Sequence, residues 1–108
     1  LNVIQPAGWK PPPEVLEKVM GELGVIRRHL EAQEVWVFGK ALQGPEASTM
    51  VRLRGDEVVA TDGPWADGAE FVGGLVVIEV DNLDAALQVA ARYVRVTGLP
   101  VEVRPFQG

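Results

Sequence analysis

The chain has no cysteine, a single histidine, and no apolar run that approaches the ~20 residues of a membrane span. The first absence excludes disulfides, thiolate zinc sites, iron–sulfur clusters and a cysteine nucleophile together, and it suits a reducing, cytoplasmic setting. The second leaves His29 alone, so neither a histidine-rich metal site nor a relay of two imidazoles fits within one protomer. No metal and no cofactor are expected. Positive charge is also scarce: ten Lys and Arg against fifteen Asp and Glu give a net charge of −5. The ten are scattered rather than clustered, which argues against a nucleic-acid partner. No basic stretch followed by an apolar one opens the chain, so no signal peptide and no membrane association are expected.

What is present suffices for one domain with one core. At 108 residues and 47% hydrophobic content, the chain buries roughly 60–70% of its unfolded surface and folds without a staple. Residues 1–108 are read as a single unit. Leu1–Gln5 is a short apolar strand ended by Pro6 and Gly8. Pro11–Pro13 stiffen the approach to a helix over Glu14–Gln33, whose apolar positions Leu16, Val19, Met20, Leu23, Ile26 and Leu30 recur three or four apart. Glu34–Leu42 is β-branched and aromatic and reads as a strand. A hairpin follows: Met50, Arg52 and Arg54 alternate with Val51 and Leu53, the chain turns at Gly55-Asp56, and "EVVAT" returns.

Leu75–Val80 is the next strand, and Gly73-Gly74 before it reads as a bulge at its start, since no helix N-terminus follows to make a phosphate loop. Asn82, or Asp81, caps a second helix with the stripe Leu83, Ala86, Leu87, Ala90, Ala91 and Val94, which is expected to face the core. Gly98 and Pro100 end it, and Val101–Phe106 alternates as a closing strand. With the hairpin set aside, the order is β-α-β-β-α-β. The expected class is α+β, a ferredoxin-like fold with an extra β-hairpin.

Val35–Phe38 and Leu75–Ile78 are apolar at successive positions, whereas a strand with one wet face alternates. Two helices cover only one face of the sheet. An exposed second face would exceed the few hundred Å² of apolar patch that a monomer tolerates, so a homodimer packed sheet to sheet is expected.

Asp62-Gly63-Pro64-Trp65 has two readings. As a turn, Asp62 accepts a local N–H, Gly63 takes an otherwise costly φ, and Pro64 fixes the next residue. As a site, Asp62 is a carboxylate lining a cleft and Trp65 an apolar wall for a planar ligand. Glu79, inside an apolar strand, and Arg104, at the end of the last one, are further candidates facing a dimer cleft. A buried Glu79 would have a raised pKa and serve as a general base. His29 reads as a solvated helix residue, and Trp9 and Trp36 as core or interface anchors.

The segments "TDGPW", "GGLVVIEVDNLDAAL" and "VEVRPF", in that order, resemble the DGPF branch of the YCII-related family, and "LEAQEVWVFGKALQG" fits its second strand. In that branch an Asp-Gly-Pro-Phe loop precedes a Gly-Gly strand, an Asp-x-Leu-Asp-x-Ala helix and a terminal Val-Arg-Pro strand. Trp65 stands where the Phe is usual. The resemblance implies a dimeric α/β barrel, in agreement with the uncovered face. It also implies links to small-aromatic chemistry and to alternative sigma factors. The histidine suggested as catalytic in YCII members proper corresponds to Leu23, and His29 lies on another face of the helix, so that role does not transfer.

The leading functional expectation is a small cytoplasmic homodimer that binds a small molecule, aromatic ones included, through Asp62, Trp65, Glu79 and Arg104 in a sensory or accessory role. Two others stay open. One is an enzyme using Asp62 or Glu79 as a carboxylate base on a small acidic substrate. The other is an interaction module whose apolar faces and hairpin meet a protein such as a transcription factor.

Overall fold

The computed structural model describes all 108 residues as β1 (Asn2–Pro6), α1 (Pro13–Ala32), β2 (Trp36–Ala41), β3 (Thr49–Arg54), β4 (Glu57–Asp62), β5 (Glu70–Ile78), α2 (Leu83–Thr97) and β6 (Val101–Glu102). One sheet has the order β2-β5-β1-β6 with every neighbour antiparallel, while β3 and β4 pair only with each other. Without that arm the topology is the ferredoxin-like one that the element order implies, and the class is α+β.

Pro13 occupies the first turn of α1, where its missing N–H leaves no bond unmade, and Glu14 sits at the positive end of the helix. The other end carries a feature with no glycine to announce it. Glu34 takes φ +61°, its N–H donates to the carbonyl of Glu31 at 3.0 Å, and Val35 donates to Leu30 at 3.0 Å. This is a Schellman ending, with Val35 also packed against the core that Leu30 joins. α2 is closed more conventionally: the Asn82 side chain accepts from the Ala85 N–H at 2.9 Å, and Gly98 terminates the helix with a left-handed φ of 70°.

The core sits between the helices and one face of the sheet, where Ile26 and Leu30 of α1, Tyr93 of α2 and Val76 of β5 form a buried cluster. Trp36, Ile78 and Val101 pack against its margin from the sheet side. Burial raises the pKa of the Tyr93 phenol, against the opposing fields of Arg92 and Arg27. The protein measures 48 × 40 × 19 Å, and the 19 Å dimension accommodates one helix layer of about 10 Å on the sheet and nothing beneath it. No helix covers the opposite face, where Phe38 is 52% exposed.

Several boundaries and contacts differ from the sequence reading. β5 begins at Glu70 rather than Leu75 and ends at Ile78, so Gly73-Gly74 lie within the strand; the register slips there between Val3 and Ile4, which makes the pair a mid-strand bulge. β6 stops at Glu102 instead of Phe106. A strand needs a ladder partner, and Val101 and Glu102 already pair with Val3 and Asn2 at the start of β1. The α2 stripe is rotated. Ala86, Ala90 and Tyr93 are buried, whereas Leu87 is 46% exposed and Leu83 and Val94 are also exposed, because the large Tyr93 ring centres the contact on its own line along the helix.

Two measurements check these assignments. Leu30→Ala should cost about 2–5 kcal/mol in urea unfolding and Leu87→Ala about 1 kcal/mol or less, reversing the weight that the apolar stripe gives Leu87. Glu34→Gly should raise stability by about 0.5–1 kcal/mol, because glycine takes the left-handed conformation without the penalty of a Cβ. A loss of stability would mean that the helix ends differently.

Candidate functional site

The β3–β4 arm joins the sheet through two connections, Leu42–Ser48 before it and Gly63–Ala69 after it. Both are tied down by backbone bonds. Ala47 and Ser48 donate to Gly44 and Pro45 in a single 3-10 turn, Gly63 donates to the Ser48 carbonyl at 2.8 Å, and Leu42 donates to Gly73 at 2.9 Å. Gly63 has φ +115°, a conformation open to glycine and costly for other residues, and Pro64 fixes the direction of the chain that follows. The turn reading of Asp62–Trp65 therefore has a concrete geometry: it is the corner that closes the base of the arm.

Between these connections lies a cleft of about 510 Å³. Leu42, Pro45, Pro64, Phe71 and Val72 give it apolar walls, while Gln43, Ser48, Asp67 and Glu70 supply polar groups. No Lys or Arg lines it, so its field is negative. The volume falls within the range of small-molecule pockets, and so does the mixture of apolar wall and few polar groups.

The four residues singled out in the sequence are divided between two places. Asp62 closes the ladder opposite Thr49 and is exposed. Trp65 is 76% exposed and lies along the arm, with the Arg52 guanidinium 5.4 Å from its ring centroid, in cation–π range. Neither lines the cleft, although the adjacent Pro64, Ala66 and Asp67 do. Glu79 and Arg104 line a second cavity, about 750 Å³, bounded by Leu75–Val80, the first turn of α2 and the tail from Val103 to Gly108. There they do not pair. Glu79 follows the end of β5, its N–H bonded to the Val35 carbonyl at 2.8 Å, and its side chain is exposed. Arg104 meets Glu102 at 2.9 Å instead. The Asn2 amide and then Arg104 hold the Glu102 carboxyl below its ordinary range.

Asp67, Glu70, Gln43 and Ser48 were missed as cleft residues. The available signal was weak: "QGPEAS" and "DGPWADGAE" each read as turn material, and nothing in either says that the two turns face each other. His29 is exposed, as expected, yet its Nδ1 lies 3.0 Å from Arg92 Nη2 and so links the two helices. Trp36 is half-buried at the core margin with Arg27 4.9 Å above its ring centroid. No helix is long and apolar enough to cross a membrane.

Among curated proteins none matches the chain. The model of the YCII-related domain matches residues 4–107, which takes in both helices, the sheet from the middle of β1 onward and both walls of the cleft. On that match, the chain belongs to the YCII-related family.

Proposed function

We propose that this is a cytoplasmic, homodimeric protein of the DGPF branch whose arm-base cleft binds a small planar molecule, neutral or cationic, in a sensory or accessory role. The cleft itself carries the reading. Its walls belong to two connections fixed by four backbone hydrogen bonds, so the concavity stands open before any ligand arrives. Phe71, Pro45 and Pro64 offer flat apolar surface, and Asp67 and Glu70 favour positive charge. The cavity beside Glu79 and Arg104 is larger, but one of its walls is a tail without regular structure.

The carboxylate-base reading has less support. Such a base requires a desolvated carboxyl, and Asp62 and Glu79 are both exposed in the protomer. An acidic substrate would also meet two carboxylates in the cleft without a compensating cation. Dimerisation draws its support from the apolar residues left on the sheet face away from the helices, Phe38 and Val77 among them.

Two experiments test the reading. Light scattering at micromolar concentration should give twice the chain mass; a single chain mass would remove the dimer. Titration with a panel of aromatic amines, neutral aromatics and aromatic acids, followed by calorimetry, should rank the amines first and the acids last. The double variant Asp67→Asn, Glu70→Gln should weaken amine binding by about tenfold, the size expected of two partly exposed charge contacts. Binding confined to the acids, or undiminished in the double variant, would overturn the assignment.

A further inference from the structure

The register of the sheet places one row of side chains straight across its helix-free face. Lys40 of β2 is opposite Leu75 of β5, Leu75 is opposite Asn2 of β1, and Asn2 is opposite Glu102 of β6. Directly opposed residues in antiparallel strands project from the same side, and the neighbouring pair on that side is Phe38 with Val77. The side is fixed by Val76, which adjoins Leu75 and points into the helix-covered core. The row therefore carries a cation at one edge, Leu75 and Asn2 between, and at the other edge a carboxylate that Arg104 contacts through one oxygen. Lys40 has no ion-pair partner, and both contacts to Glu102, from Asn2 at 3.1 Å and Arg104 at 2.9 Å, fall on Oε1 and leave Oε2 free.

Resting on the dimer reading above, we infer that the two-fold axis of the homodimer runs along the strands, so that Lys40 of each copy meets the partner subunit's Glu102. Two identical faces can meet only about an axis lying in the plane between them. An axis parallel to the strands lays the β2 edge of one copy over the β6 edge of the other and β5 over β1, opposing unlike charges twice. An axis across the strands lays β2 over β2 and sets Lys40 against the partner subunit's Lys40, which like-charge repulsion disfavours.

Zero-length carbodiimide coupling gives a direct reading. Within one protomer Lys40 and Glu102 are three strand spacings apart, about 14 Å, too far for an amide to join them, so a Lys40–Glu102 link can form only between copies. That link should appear by mass spectrometry of the covalent dimer. Sedimentation equilibrium supplies a second arm: Lys40→Glu should weaken the dimer by about tenfold, since the contact occurs twice, and adding Glu102→Gln, which keeps the side-chain shape, should recover most of the loss. A dimeric wild type that gives no such link, or whose affinity is unchanged by Lys40→Glu, overturns the pairing and leaves the dimer standing. A dimer tightened by Lys40→Gln identifies the across-strand axis. A monomeric wild type removes the dimer reading and the pairing with it.

Discussion

Two helices over a four-stranded sheet shelter one of its faces, and the rest of this structure is arranged around that limit. Ile26, Leu30 and Tyr93 converge on Val76, and this buried cluster lies on the helix-covered side. β5 supplies Val76 and Ile78 to the covered face and Leu75 and Val77 to the other, so the central strand is apolar both ways. A strand of this composition is at home inside two layers of cover, and the chain provides one. The proposed dimer addresses that imbalance directly.

The second organising feature is the separation of the β3–β4 arm from the sheet. The arm hydrogen-bonds only with itself, and its outward residues Leu53 and Val58 are 75% and 71% exposed. What holds it is its base, where Gly63 reaches back to Ser48. The bonds that anchor the arm also shape the cleft, so the Asp62–Trp65 corner influences the candidate site through the geometry it imposes and through Pro64, while Asp62 and Trp65 stay outside it. Arg52 stacked on Trp65 ties the arm to the same corner from outside.

Much of this was legible in the sequence because its signals were local and redundant. The period of α1, the proline approach to it, the Asn82 cap and Gly98 stop of α2, and the Gly55-Asp56 turn each state one element, and together they permit few topologies. What escaped was set by partners distant in sequence. The length of β6 depends on where β1 offers a ladder, and the orientation of α2 depends on Tyr93 competing with Leu87 for one contact line. The glycine pair at 73 and 74 looked like a boundary because a mid-strand bulge and a strand start use the same residue. Glu34 gave no warning of its left-handed φ, since tertiary packing of Val35 against the core holds the residue there. The cleft was hardest of all. Its two walls are loops, which carry no periodicity, and their approach is a product of the sheet rather than of either segment.

The free-standing arm has a practical consequence. Its tip at Gly55-Asp56 lies at the far end of a ladder that contributes nothing to the buried cluster, so a peptide tag, a fluorophore or a protease recognition sequence spliced there would leave that cluster undisturbed. The tip is accordingly a handle by which the molecule can be labelled, tethered or cut while its sheet and helices stay intact.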